Sequence, residues 1–369
     1  MPEELKKESA LSASRIKTLQ ACSWEYYAKY KLKLPDKSND GASRGTTCHN
    51  LFECLGNPRH RHHYDAIIKA GKVSGSPVAK RYVDIMARSL NVDDDANMKL
   101  IEDMIMNGLH YDFFGDREGE PDEAISERAF DIFVDEDGKR YRIRGFIDKL
   151  FLYGKKKRAL IRDFKTSKQV FKGKEITDNL QDLMYCLAVK KLYPEYLQRE
   201  SEFVFLKFDL SIDLTGKKGK GLVTMKELDD DVLCGFEYEL TEIFSYMNRF
   251  TESDAHSNFA NRQGFPADGT FGGKLKCGKD GPKISGGQPV LDENGNEIPA
   301  FICPFRKPFE YFAIVDENGE TVKSYFTEEE VKGVPDGCKV EKKHYTGCPE
   351  FNFINDKGEN YDPFMERVQ

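Results

Sequence analysis

Among its 369 residues this chain has a single tryptophan and no run of about 18 apolar residues, so no membrane-spanning helix is expected. Its first residues, MPEELKKESALSAS, are charged and contain no apolar stretch of the kind a secretory signal needs, so a cytoplasmic location is expected. A basic excess is missing too. Lys and Arg number 56 against 63 Asp and Glu, a net charge of −7. That balance speaks against a protein that merely coats nucleic acid, and leaves room for a local basic groove beside an acidic metal site. The cysteines do not make an even set: there are nine, spread over the whole chain, and they read as reduced thiols or metal ligands rather than disulfides. No internal repeat or low-complexity tract is found. The phosphate-binding pattern Gly-x-x-x-x-Gly-Lys-Ser/Thr is absent, so any duplex unwinding would need another protein.

What is present suits a folded chain with a sizeable core. Hydrophobic residues make up 39% of it, which fits one large domain or two at about 150 residues per domain. Ser12-Ala-Ser14 reads as a helix cap, and Ile16, Leu19, Cys22, Tyr26 and Tyr30 recur every three or four residues up to a stop at Pro35. Residues 36–47 read as a polar loop, followed by a helix opening at Cys48. The cluster His60-Arg61-His62-His63 lies in a polar Asn-Pro-bounded turn without acids at ligand spacing, and reads as surface. Apolar residues at helical spacing predict a helical insert over about 64–110. Residues 125–134 alternate like a strand, with Glu127 at its start as a structural residue, and 135–138 form a hairpin turn. Residues 202–208 predict another strand. Residues 226–250 predict an amphipathic helix with Leu228, Val232, Phe236, Leu240, Ile243, Phe244 and Met247 inward. Beyond about 252 the hairpin signals at 292–295, 316–319 and 335–337 flank Tyr- and Phe-rich runs, which predicts a small β-rich extension.

The chain is organised around residues 141–196. Two strand-like runs, 141–153 and 159–166, flank the basic turn 154–158, and a helix-like run follows. The first run carries Asp148 in apolar surroundings. The second carries Asp163-Phe164-Lys165-Thr166. Strand side chains alternate, so Asp163 and Lys165 share a face while Phe164 points to the core. Asp148 and Asp163, fifteen residues apart on neighbouring strands of one hairpin, can meet at one point. Gln181 and Tyr185 are four apart and share a helix face. Paired carboxylates are hard oxygen ligands suited to Mg²⁺ or Mn²⁺. A lysine beside them can orient water and place positive charge near a phosphate. Basic clusters at 154–158, at Lys217, Lys218 and Lys220, and at Lys274, Lys276, Lys279 and Lys283 read as solvated turns.

Gly145-Phe-Ile-Asp148, Asp163-Phe-Lys165-Thr166, Gln181-x-x-x-Tyr185 and the upstream Gly45-Thr-Thr-Cys-His49 together resemble the PD-(D/E)XK nuclease superfamily in its RecB-like branch, which includes CRISPR-associated RecB-like exonucleases. The match covers roughly residues 12–210. The resemblance implies an α/β fold: a restriction-endonuclease-like mixed sheet flanked by helices, with a helical insert and a small β-rich C-terminal extension. It implies a nuclease core over 1–250 and a Cys-containing extension over 251–369 that packs back on the N-terminal helix. It also implies Asp148, Asp163, Lys165, Gln181 and Tyr185 as catalytic residues, and His49, Asp148, Asp163 and the Phe164 carbonyl as ligands to one or two Mg²⁺ or Mn²⁺ ions. An imidazole ligand tilts the preference toward Mn²⁺.

Some RecB-like nucleases hold a [4Fe–4S] cluster with one cysteine from the first helix and three from the C-terminal region. Cys22 fits the first place, and Cys277, Cys303 and Cys348 are available for the others, as is Cys338. The compact tail spacing of that family is absent here. Insertions and loss of the cluster both account for that, and a zinc site is a third reading. Cys48, Cys54, Cys186 and Cys234 fall in helical contexts and read as buried thiols. The expected function is a metal-dependent DNA exonuclease acting on ends or single strands in recombination, repair or phage DNA processing, with a helicase or recombination protein as partner and no membrane. An endonuclease on the same fold, and a catalytically silent DNA-binding module, are the alternatives.

Overall fold

The first helical segment is not continuous. α1 (Ala13–Ala21) ends at Cys22, which is extended, and α2 (Ser23–Tyr26) runs on into a π-turn over Tyr27–Lys31. The heptad-like spacing predicted one helix, but the polar groups of Ser23 are drawn elsewhere. Its N–H donates to the Asn258 carbonyl at 2.9 Å and its hydroxyl to the Ala255 carbonyl at 2.7 Å. Tertiary hydrogen bonds thus override local periodicity at Cys22. The computed structural model describes residues 8–36, 39–117, 119–213, 215–263, 276–278, 280–291 and 295–352. It divides into two units: Met1–Ala13 with Ser38–Asn248, and Ser14–Lys37 with Arg249–Gln369.

In the first unit, α3 (Asp40–Gly56) begins eight residues before the predicted start. Asn39 caps it, its side-chain oxygen accepting the Ala42 N–H at 3.0 Å, so the Gly- and Ser-containing run read as loop is helical. α4 (Arg61–Ala70), α5 (Pro77–Ser89) and α6 (Asp95–His110) follow as the predicted helical insert. Then come β1 (Glu123–Glu136), β2 (Lys139–Tyr153) and β3 (Arg158–Lys165). Arg158, expected in a solvated turn, is instead buried at the start of β3 and pairs with Glu200 at 2.7 Å. A short α7 (Lys174–Thr177) and α8 (Leu180–Leu192) lead to β4 (Gln198–Phe205) and β5 (Leu222–Thr224). α9 (Asp230–Asn248) closes the unit. Leu240, Phe244 and Met247 are buried in it as expected, but Val232 is 45% exposed.

The five strands lie in sequence order, antiparallel except for β3 and β4, which run parallel across the α8 crossover. Alternation along β3 divides the two sides of the sheet. Phe164 joins Phe52, Phe113, Val204 and Leu206 in the core beneath α3–α6, while Asp163 and Lys165 meet α8. Two glycines let α3 approach. A Cβ at Gly45 would stand 2.8 Å from the Thr166 hydroxyl, and one at Gly56 would stand 2.5 Å from Lys149 Nζ. His49 lies between them and is thereby held against the strands.

The second unit adds α10 (Glu252–Ala255), the two-residue strands β6 (Ile284–Ser285) and β7 (Gln288–Pro289), and a three-stranded sheet. Its strands are β8 (Phe309–Val315), β9 (Thr321–Tyr325) and β10 (Lys339–Tyr345), in the order β10-β8-β9. The predicted turn at 316–319 joins β8 to β9, with Gly319 at φ +79°. The turn predicted at 335–337 precedes β10. Residues 292–294 of the third predicted turn, with Lys274 and Lys279, lie outside the described residues. No described helix is long and apolar enough to cross a membrane.

Candidate active site

Asn179 caps α8, accepting the N–H groups of Gln181 at 3.0 Å and Asp182 at 3.3 Å, and so fixes the first turn from which Gln181 projects. Gln181 then uses every polar group of its amide. Nε2 donates to Asp163 Oδ1 at 2.7 Å and to the Tyr185 hydroxyl at 2.6 Å, and Oε1 accepts from Lys165 Nζ at 2.7 Å. Tyr185 donates in turn to Asp163 Oδ1 at 3.1 Å. Asp163 Oδ2 faces Lys165 Nζ across 2.7 Å as an ion pair without a directed hydrogen bond. Five sequence-predicted residues therefore divide into a closed network of four, with Asp148 beside it.

Asp148 has its own partners. Its Oδ2 accepts the Phe164 N–H at 2.7 Å, and its Oδ1 lies 3.3 Å from His49 Nδ1. Phe164 thus touches the site through its amide. The group of ligand atoms that the structure gathers within 4.8 Å of one another is His49, Glu127 and Asp148. Glu127 was read from sequence as structural. The one available signal was its position opposite Asp148 in the hairpin register. The ladder pairs Ser126 with Lys149 and Arg128 with Ile147 on either side of it, which sets Glu127 opposite Asp148, and Glu127 itself has φ +48° within β1. A left-handed non-glycine residue inside a strand costs about 1–3 kcal/mol and persists only where its surroundings hold it.

The electrostatics are those of a site short of positive charge. Burial would lower the His49 pKa, yet the carboxylates of Asp148, Asp163 and Glu127 outweigh it and lift His49 from 6.5 to about 9. Burial and then Asp148 push Glu127 from 4.5 up to about 7. Burial also raises Asp163, against the pull of Lys165. A divalent cation would relieve all three at once. The oxygen-rich donor set with one imidazole fits such an ion: His49, Glu127 and Asp148 could hold it, with Asp163 Oδ2 beside them.

A second cluster lies in the other unit. Cys22, Cys277, Cys303 and Cys348 line one small cavity with Trp24, Phe259, Phe305 and Phe351. The Cys303 N–H donates to the Cys277 carbonyl at 3.2 Å, and Arg306 bridges Cys303 to Cys348: the Arg306 N–H donates to the Cys303 carbonyl at 2.9 Å and the Cys348 N–H to the Arg306 carbonyl at 3.2 Å. Burial raises Cys303 and Cys348 to about 12, and raises Cys277 as well. Among the described residues no three of these sulfurs lie within 4.8 Å of one another. A single tetrahedral zinc needs sulfurs about 3.8 Å apart, given Zn–S bonds of about 2.3 Å. Four thiols around one cavity are the donor type of a soft-metal or iron–sulfur site. Cys338 is not among the cavity residues, and Cys48, Cys54, Cys186 and Cys234 lie in helices.

Among solved structures, the chain is similar to a protein from Eubacterium rectale provisionally named an exonuclease: 12% identity over 69% of this chain and 90% of that one, TM-score 0.38. It is also similar to SSO0001, with 12% identity over 62% of this chain and 87% of that one, TM-score 0.22. No curated protein matches the chain. Residues 10–258 match the sequence profile of the PD-(D/E)XK nuclease superfamily, which is more than half of the chain, and the protein belongs to that superfamily.

Proposed function

We propose that this protein is a divalent-metal-dependent deoxyribonuclease of the RecB-like branch, acting as an exonuclease on DNA ends or single strands in recombination, repair or phage DNA processing. The observation that carries the reading is the network in which Gln181, Tyr185 and Lys165 all engage the buried Asp163 beside Asp148. A bound Mg²⁺ or Mn²⁺ supplies charge neutralisation at the scissile phosphate and lowers the pKa of bound water. His49, Glu127, Asp148 and Asp163 hold that ion. The amide of Phe164 keeps Asp148 in one orientation.

Lys165 has three ammonium protons. Gln181 takes one and Asp163 draws a second, so the third is left to the attacking water or a non-bridging phosphate oxygen. Lys165 therefore positions the nucleophile and stabilises charge at the phosphorus. Gln181 and Tyr185 do not meet the phosphate in this scheme: they fix Asp163 and Lys165, as positioning residues. The same reading assigns a [4Fe–4S] cluster to Cys22, Cys277, Cys303 and Cys348, in a structural role, since all four belong to the unit without the carboxylates.

The test is cleavage of linear and circular, single- and double-stranded DNA with Mg²⁺ or Mn²⁺. The proposal expects ends to be degraded and circular single strands left intact. Cutting of circles would make the protein an endonuclease, and binding without turnover would make it a silent DNA-binding module. A partner helicase is expected to deliver the single strands.

A further inference from the structure

Three cations stand beside the carboxylate site and, among the described residues, have no anion to neutralise them. Arg44 lies on α3, five residues and so roughly 7–8 Å along the axis before His49. Lys168 follows Lys165 past the carboxyl end of β3. Lys207 follows the carboxyl end of β4, where Phe205 pairs with Lys165 and the Leu206 N–H donates to the Lys165 carbonyl at 2.9 Å. Thr166, next to Lys165, meets Gly45, next to Arg44. Burial, and then the nearby charges of Arg44 and Lys168, hold the Lys207 ammonium below the usual lysine range.

Arg44 is only 7% exposed. Its guanidinium donates to the neutral Asn97 Oδ1, and its Nε has no partner. Asn97 presents that oxygen because its own amide donates to Asp94. Among the described residues, none of Arg44, Lys168 and Lys207 forms an ion pair, whereas other buried arginines of this unit are neutralised: Arg162 by Asp112 and Glu202, Arg199 by Asp230. Gathering like charges and burying one without a counter-ion is unfavourable unless an anion joins them.

We infer that Arg44, Lys168 and Lys207 form a subsite for a DNA phosphate flanking the scissile one, so that the strand being cut crosses the carboxyl ends of β3 and β4. The inference rests on the nuclease reading above. Arg44 offers a fixed fork of donors and the two lysines offer point charges, a set matched to the non-bridging oxygens of a phosphodiester. Affinity then grows with strand length, because a substrate with one phosphate leaves the subsite empty.

The experiment compares wild type with Lys207→Gln, Lys168→Gln and Arg44→Lys in the full chain. Binding of a fluorescein-labelled oligothymidylate is read by anisotropy in Ca²⁺ across a salt series. Cleavage of the same oligomer, and of a thymidine nitrophenyl phosphodiester, is read in Mn²⁺. The inference expects each variant to raise the Kd and KM for the oligomer about fivefold to tenfold with a smaller change in kcat, and the two charge-removing variants, Lys168→Gln and Lys207→Gln, to flatten the salt slope by about one counter-ion. It also expects the loss on the oligomer to exceed the loss on the mononucleotide ester several-fold. Equal losses on both substrates, an unchanged salt slope, or no binding of the oligomer by wild type would overturn it. Lys168 is exposed, so its variant folds even where Arg44→Lys does not. Flattened slopes in the lysine variants, with a wild type that binds without cutting, would uphold the subsite and defeat the nuclease reading, so the two failures are told apart.

Discussion

Asp163 and Cys348 are 4% and 8% exposed, yet their surroundings are built differently. Around Asp163 the polar atoms of Gln181, Tyr185 and Lys165 are already bonded to one another, so the geometry is set before any ion arrives. Around Cys348 three other thiols and several aromatic rings line the cavity, with Glu25, Asn261, Arg306 and Glu350, and the thiols make no hydrogen-bond network of the Asp163 kind with one another among the described residues. The first region is preorganised by hydrogen bonds. The second is held by backbone ties at Cys303 and Cys348 and by the Tyr345 hydroxyl, which accepts from Trp24 at 2.7 Å and donates to the Phe305 carbonyl at 2.9 Å. Loss of a ligand should therefore cost function at the first site and structure at the second.

The sharpest break is Asp163→Ala, expected to lower DNA cleavage by about a thousandfold or more while circular dichroism stays that of wild type. Cleavage at a wild-type rate would remove the carboxylate site from the chemistry. Cys348→Ser is expected to abolish the absorbance near 400 nm (an approximate position for iron–thiolate bands) and lower Tm. A colourless wild-type protein purified without oxygen would remove the cluster from the comparison. Glu127→Gln should weaken Mn²⁺ binding about tenfold to a hundredfold by calorimetry. An unchanged affinity would return Glu127 to a structural role.

The pH response follows from the two raised groups. His49 moves from 6.5 to about 9 and Glu127 from 4.5 to about 7. Both folded-state pKa values lie above the unfolded ones. Their contribution to metal-free stability is therefore fully present below the unfolded value and lost as pH rises through the folded one. Between about pH 4.5 and 9 the metal-free protein should lose stability, and the Tm gain on adding Mn²⁺ should grow, with protons released on binding. A thermal shift independent of pH over that range would contradict it. The smallest effect expected is that of Tyr185→Phe, about fivefold in kcat, because Gln181 still bonds Asp163.

Much of the first region was legible because its chemistry sits on regular elements. Asp148, Asp163 and Lys165 follow from strand alternation, and Gln181 and Tyr185 from helix spacing. Glu127 was legible only through its place opposite Asp148 in the hairpin, since no local rule announces a left-handed residue inside an alternating strand. The Arg162–Glu202–Asp112 cluster was equally hidden: an arginine with no exposure in a hydrophobic strand is explained only by partners 40 and 50 residues away. The helix break at Cys22 depends on Ala255 and Asn258, more than two hundred residues on. In the cysteine region the resemblance pointed to Cys22, Cys277, Cys303 and Cys348, with Cys338 available, and the four line one cavity without Cys338.

The φ of +48° at Glu127 also bears on how the long hairpin finds its alignment. A hairpin of regular alternation can slide by two residues and keep each face apolar or polar as before. Here sliding would carry the left-handed position toward Ile125, whose branched side chain is among the least tolerant of that conformation. The left-handed position thus penalises the pairing shifted toward Ile125 relative to the one in which Glu127 faces Asp148.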